Sequence, residues 1–380
     1  MYKRGGACEK KDVFGDAPLF FCVLAIALLG VVFVYSASCY TAKKQYNDAF
    51  FFVKKQLLGV GVGVVALFAC LKFDYKKLQK RGVRLTLYVI GCALLAAVFL
   101  PGVGRSNYGA TRWIGIGSLT VQPSEIAKFF LVVYCAGYAA QNMGRAATLK
   151  GALPMLFAGG IYCGLIIAEP NMSVTVLIAA LTFAMTFVGG VKMKVLLAMA
   201  LPVLCAVPLL IAAEPYRLLR LSAFLDPWSS PKEEGYQLIQ SLYALGNGGF
   251  FGAGLFRSRQ KYRFLPFAES DFILAIVGEE TGFLGIVLLF AAFAFIVARG
   301  IKIAAEAQDF FSFLLAFGIV ATFALQVALN ALVVSGCVPP TGIPLPLLSA
   351  GNTSIVVTMS AFGVLCAIAR GNKRAAVFIQ

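Results

Sequence analysis

The chain contains no histidine. That removes the usual general base near neutral pH, the usual proton relay and the commonest metal ligand. Acid–base chemistry must then fall to carboxylates, lysine, tyrosine or cysteine. Charge of any sign is scarce, at 13% of 380 residues, where a soluble domain carries about a quarter. Acidic residues are scarcer still: 17 Asp and Glu face 33 Lys and Arg, a net charge of +16. The ten cysteines never form a C-x-x-C pair, and most fall inside apolar runs. There they act as small hydrophobes, and neither a disulfide framework nor a zinc site is expected. No internal repeat or low-complexity tract is visible.

What fills the space is apolar. The chain is 60% hydrophobic with a mean hydropathy of +0.85, far beyond what a soluble domain can hide. Apolar runs of about 20 residues recur, the length needed to cross a hydrocarbon core. They are too continuous for the alternating strands of a barrel, which leaves helices. We expect an all-α polytopic membrane protein of about ten transmembrane helices, at 17–39, 51–71, 84–100, 123–142, 149–168, 171–190, 193–213, 271–299, 309–335 and 346–369. The first run follows basic residues but is too long for a signal peptide, so it reads as an uncleaved span. The whole of 1–380 reads as one membrane domain.

The basic excess is read as orientation, with no nucleic-acid role. Lys72, Lys76, Lys77, Lys80, Arg81 and Arg84 share one face with both termini and with Arg145, Lys150, Lys192, Lys194, Arg299 and Lys302; Lys43, Lys44, Lys54 and Lys55 fall opposite. Both termini are therefore expected on the cytoplasmic side. The outer face then holds Pro101–Gln122, a large extracytoplasmic loop at 214–270 between spans 7 and 8, and the Pro-rich Ser335–Pro346. Loops that long are usually functional.

Several polar groups stand where charge is expensive. Asp271 opens the eighth span, with Glu269 two residues before it. The acid could cap the helix, or serve as a general base, or hold a divalent cation such as Mg or Mn with Glu269. Glu279 and Glu280 lie deeper in the same span and need either a partner helix or a polar cavity. Glu125 and Lys128 are i,i+3 neighbours, suited to an internal ion pair or to a cavity that admits a head group. Arg112 beside Trp113 suits an interfacial anchor or a phosphate grip. In the long loop, Arg217 and Arg220 come early. Arg257, Arg259, Lys261 and Arg263 follow a Gly-rich run that could cradle a pyrophosphate or be a solvated basic face. Gln326 and Asn330 sit inside a span, and 339–349 carries four prolines and ends at Ser349.

These blocks, in this order, resemble the SEDS family (shape, elongation, division and sporulation), which includes the FtsW, RodA and SpoVE proteins. The resemblance covers nearly the whole chain. It rests on Val34-Tyr35-Ser36-Ala37-Ser38, Arg112-Trp113-Ile114, Gln122-Pro123-Ser124-Glu125 with Lys128, Asp226-Pro227-Trp228, Gly235-Tyr236-Gln237 with Gln240-Ser241, Gln260-Lys261, Leu265-Pro266, Asp271-Phe272, Glu279-Glu280 with Gly282, and Pro340 to Pro346. It departs from the family's usual Leu-Pro-Glu-Ala-His-Thr-Asp-Phe at Phe267, Glu269 and Ser270, and elsewhere at Asn171, Ala350 and Asn352. The Asp-Pro-Trp and Gln-Lys blocks look closer to the FtsW and SpoVE branches than to RodA.

The resemblance implies a peptidoglycan glycosyltransferase that polymerises lipid II with inversion and releases undecaprenyl pyrophosphate. The family's essential acid falls on Asp271. Substrate contacts are expected from Arg112, Glu125, Lys128, Arg217, Arg220, Gln237, Gln240, Lys261, Glu269, Glu280 and Ser349. The implied partners are a class B penicillin-binding protein, which supplies the transpeptidase this chain lacks, and other divisome or elongasome proteins. A lipid II flippase is the rival that the intramembrane charges would also suit, and a scaffold for the transpeptidase is a third reading.

Overall fold

The computed structural model describes residues 14–379, except 108–109, 117–118, 147, 213–214 and 341. Each expected span coincides with one helix. These are α1 (Ala17–Tyr46), α2 (Phe51–Lys72), α3 (Arg81–Ala97), α4 (Pro123–Gln141), α5 (Leu149–Ala168), α6 (Met172–Val188) and α7 (Met193–Ala212). Two shorter helices, α8 (Pro215–Leu225) and α9 (Tyr236–Gly248), precede α10 (Ile273–Ala305), α11 (Phe310–Val334) and α12 (Asn352–Ile379). Among the described residues α1, α2, α5, α10, α11 and α12 are long and apolar enough to cross a bilayer, and α6 is a shorter apolar helix.

Helix starts follow local chemistry. Asp16, Thr148, Asn171 and Asp309 each accept a hydrogen bond from the first-turn backbone of the helix they precede, satisfying N–H groups that have no partner within the helix. Packing is mostly between neighbours in sequence: α3 on α4, α5 on α6, α10 on α11. Long-range pairs close the bundle, α2 along α12 and α4 against α11. The described chain ends meet at one end of the bundle. Arg299 pairs with Asp16, Arg370 reaches Leu71 O at 2.7 Å, and Asn372 reaches Ile303 O at 3.0 Å.

Four features add detail to the expected spans and loops. Within 101–122, β1 (Gly104–Asn107), β2 (Ala110–Ile116) and β3 (Leu119–Val121) form a three-stranded antiparallel sheet in the order β1-β2-β3. The long loop at 214–270 is partly helical, carrying α8 and α9. The eighth span is broken at Gly282, whose φ of 68° takes it out of the helix. A Cβ there would stand 2.3 Å from the Gly252 nitrogen, so only glycine allows the approach. The last span starts at Asn352 rather than 346, because Pro346 opens a tight turn with Leu347 at a φ of 66°.

Candidate active site

The backbone around Asp271 is fixed from behind. Three successive carbonyls are taken by groups from elsewhere in the chain. Ala350 N–H donates to Glu269 O at 2.8 Å, Ser349 Oγ donates to Ser270 O at 2.6 Å, and Asn330 Nδ2 donates to Asp271 O at 2.8 Å. Asn330 also donates to Ile343 O at 2.8 Å, and Ser349 Oγ accepts from Leu345 N at 2.8 Å. The Pro-rich loop is thus stitched to the acid's own backbone. Ser349, 2% exposed, holds the site together rather than facing a ligand.

Asp271 does not cap α10. The capping position is Phe272, and no side chain there accepts from the helix. The Asp271 carboxyl instead lines a cleft of about 290 Å³ with Arg112, Gln122, Arg220, Gln237 and Gly342. A Cβ built on Gly342 would stand 3.2 Å from Asp271 Oδ2 and 3.7 Å from Arg112 Nη1, so acid and guanidinium converge on that glycine. Removal from solvent pushes the Asp271 carboxyl up to about 7; Arg112 and Arg220 oppose that rise and Glu269 adds to it. Burial also raises the Glu269 carboxyl.

Arg112 comes from β2, the central strand of the small sheet. Its Nε donates to Glu169 O at 3.4 Å and its Nη2 donates to Pro170 O, at the negative end of α5. The Glu169 side chain is 1% exposed, and neither carboxylate oxygen has a hydrogen-bond partner among the described residues. Burial pushes it up to about 8 despite Arg112. Arg220 Nη1 donates to Pro340 O at 3.4 Å, and Gln237 Nε2 donates to Pro266 O at 3.2 Å.

The structure therefore brings Asp271, Arg112, Arg220 and Gln237 to one cleft. Other expected substrate contacts lie elsewhere. Glu125 and Lys128 form a buried ion pair at 2.8 Å, and Lys128 also donates to Gln326 at 2.7 Å, beside a separate cavity of about 40 Å³. Lys261 and Glu280 pair at 3.2 Å and are 3% and 1% exposed. Glu280 Oε1 also accepts from Ser36 Oγ and Ser258 N, while Glu279 accepts from Ser258 Oγ, Arg259 N and Gln260 N. These acids anchor the 258–261 backbone and do not line the Asp271 cleft; Lys261 is already committed to them. Gln240 and Glu269 are half-buried outside the cleft lining. Arg217 lies on α8, and its side chain falls outside the described residues.

As for a metal, Asp271 is the one acid lining the cleft among the described residues, with two arginines beside it and Glu269 just outside the lining. No group of three Asp, Glu, Cys or His side chains converges among the described residues. That donor set does not make a resident divalent site.

The family model described as "cell cycle protein", for FtsW, RodA and SpoVE, matches residues 16–374. The chain belongs to this family. It is 38% identical over 351 residues to a probable peptidoglycan glycosyltransferase FtsW of Geobacter sp. (strain M18), covering 92% of this chain and 95% of that one. It is 37% identical over 363 residues to stage V sporulation protein E of Bacillus subtilis, covering 95% and 98%. Among solved structures, a chain of a peptidoglycan synthase complex that coordinates polymerization and crosslinking superposes with a TM-score of 0.77 at 28% identity, covering 94% and 98%. The rod shape determining protein RodA of Thermus thermophilus gives 0.69 at 25%, covering 94% and 97%. This FtsW/RodA/SpoVE chain is thus a polytopic membrane protein of the expected helical class.

Proposed function

We propose that the chain is a peptidoglycan glycosyltransferase that polymerises lipid II at the outer surface of the bacterial cell membrane, in cell division. The observation that carries this reading is the Asp271 carboxyl in a two-arginine cleft, raised by burial to about 7. A base of that strength is well matched to a hydroxyl at neutral pH. In the reaction Asp271 takes the proton of the acceptor's 4-hydroxyl. The freed oxygen pair attacks the anomeric carbon of the donor, and the bond from that carbon to the pyrophosphate oxygen breaks. The electron pair leaves with undecaprenyl pyrophosphate. One displacement inverts the configuration from alpha to beta. Arg112 and Arg220 stabilise the charge that grows on the leaving group.

The cleft's own side chains carry every one of these steps. An Mg or Mn ion enters the proposal only as a companion of the substrate's pyrophosphate, with most of its ligands outside the protein. In the proposed orientation the bundle end holding Asp271 faces outward and both termini are cytoplasmic, in keeping with the basic groups on the opposite end. A class B penicillin-binding protein with one membrane span would add the cross-linking activity. The flippase alternative draws less support: the Glu125–Lys128 pair borders a cavity of only about 40 Å³, too small for a disaccharide head group.

The test is glycan synthesis by the purified chain in vesicles loaded with lipid II. Asp271→Asn and Asp271→Ala should abolish polymer while the protein stays folded. Polymer made at wild-type rates by either variant would sink the assignment.

A further inference from the structure

The stretch between α9 and Asp271 does more than lead to the acid. It completes a broken helix. Where α10 opens at Gly282, its freed backbone groups bond to 249–254. Ala253 N–H donates to Glu279 O at 2.9 Å and Gly254 N–H to Glu280 O at 3.0 Å. In return Phe283 N–H donates to Gly249 O at 2.9 Å and Leu284 N–H to Phe250 O at 3.1 Å. The next residues, 258–261, are held by the buried Glu279 and Glu280. Ser258, Gln260, Lys261 and Leu265 point inward, and their neighbours point out.

What points out is of two kinds, aromatic and cationic. Phe250, Phe251 and Phe264 are 57%, 77% and 53% exposed, and Arg257, Arg259 and Arg263 are exposed among them. No acidic residue occurs between Glu234 and Glu269. The exposed charge of this rim is therefore wholly positive.

Its level relative to the membrane follows from α10. Beyond the break, the uncharged run 283–298 is about 24 Å long at ~1.5 Å per residue, and Arg299 pairs with Asp16 at its far end, so the run takes up most of a hydrocarbon core of about 30 Å. The break, and the segment bonded to it, thus sit at the membrane surface on the Asp271 end of the bundle. Aromatic rings interleaved with arginine at that depth match the bilayer interface: rings settle at the glycerol level, and guanidinium groups meet phosphate.

We infer that 249–264 is a rigid interfacial foot, which inserts its exposed phenylalanines into the adjacent leaflet and binds the head groups of anionic phospholipids through Arg257, Arg259 and Arg263. None of these six side chains lines the catalytic cleft. The inference stands whether or not Asp271 is the base.

The test reads local lipid composition. The full chain carrying photoreactive p-benzoyl-phenylalanine at position 251 is reconstituted in vesicles of phosphatidylcholine with one-tenth phosphatidylglycerol, illuminated, and weighed by intact mass spectrometry. Phospholipid adducts are expected, with phosphatidylglycerol enriched several-fold over its bulk fraction. In Arg257→Gln/Arg259→Gln/Arg263→Gln that enrichment should vanish while adducts persist. The three single variants carry the same test if the triple variant does not fold, each losing part of the enrichment. Bulk phosphate and pyrophosphate should leave it unchanged. The inference is overturned by adducts to protein in place of lipid, by a phosphatidylglycerol share equal to the bulk, by undiminished enrichment in the Gln variants, or by displacement with free pyrophosphate, which would mark a soluble-anion site.

Discussion

Asn330, about one turn before the end of α11, donates its amide to the main-chain carbonyl of Asp271 at 2.8 Å and to that of Ile343 at 2.8 Å. One buried side chain thus sets the distance between the acid and the loop that faces it. Asn330→Ala leaves two carbonyls without their donor. Asn330→Asp is worse, since a carboxylate confronts two acceptors. Loss of one buried bond costs about 1–3 kcal/mol, and a small misplacement of a catalytic group can cost about a hundredfold in rate. We expect polymerisation to fall about 10- to 100-fold in the Ala variant and further in the Asp variant. Initial rates on lipid II, with thermal melting as the folding control, would check this.

The acid's own ionisation gives a second prediction. Burial holds the Asp271 carboxyl near 7, and only its charged form accepts a proton. Activity should therefore rise with pH through a midpoint of about 7 and be largely lost at pH 5. The stability effect has the opposite sign. Because the folded chain binds this proton more tightly than the unfolded one, Asp271 contributes stability at low pH that is lost as pH rises through about 7. Asp271→Asn should melt higher than the wild type at pH 8 and about equally at pH 4. Equal melting at both values would show that the carboxyl is not shielded as described.

Much of this was legible in advance. The ten apolar runs are all helical, the eighth in two pieces about Gly282, since a bilayer leaves backbone polar groups no other partner. Arg112, Gln237 and Asp271 stand in the motif blocks, Arg220 only as a basic residue early in the long loop, and the four meet in one cleft. What stayed hidden depended on contacts distant in sequence. For the Glu279–Glu280 pair the sequence leaves a partner and a polar cavity both open; contacts at Ser36 and 258–261 make it an anchor. Asn330 and Gly342 carried no local signal beyond a polar residue in a span and a glycine among prolines. Glu169 offers little in the sequence beyond an acid beside Pro170, between two apolar runs.

Glu169 supplies a third prediction. Its carboxyl is buried without a hydrogen-bond partner among the described residues and is raised to about 8, so it is mostly neutral at pH 7. A group protonated in the fold and ionised when unfolded contributes stability at low pH that is lost as pH rises through about 8. Glu169→Gln, which keeps shape and neutrality, should make melting temperature less dependent on pH between 5 and 9, and should retain activity at pH 7. A variant with the wild-type pH slope would mean that this carboxyl is already charged in the fold.

The buried Lys261–Glu280 pair separates a structural role from a catalytic one. Lys261→Met alone leaves Glu280 charged in a dry site, which costs about 3–5 kcal/mol in comparable pairs. Lys261→Met/Glu280→Gln removes both charges. It keeps the Oε1 acceptor for Ser36 Oγ and for Ser258 N, which lie at 2.6 and 3.2 Å. Most of the lost stability should return, and with it polymerase activity, because neither side chain lines the cleft. Melting curves in detergent and rates on lipid II measure the two effects separately. A double variant that melts like the wild type yet makes no glycan would move Lys261 from the anchor to the substrate.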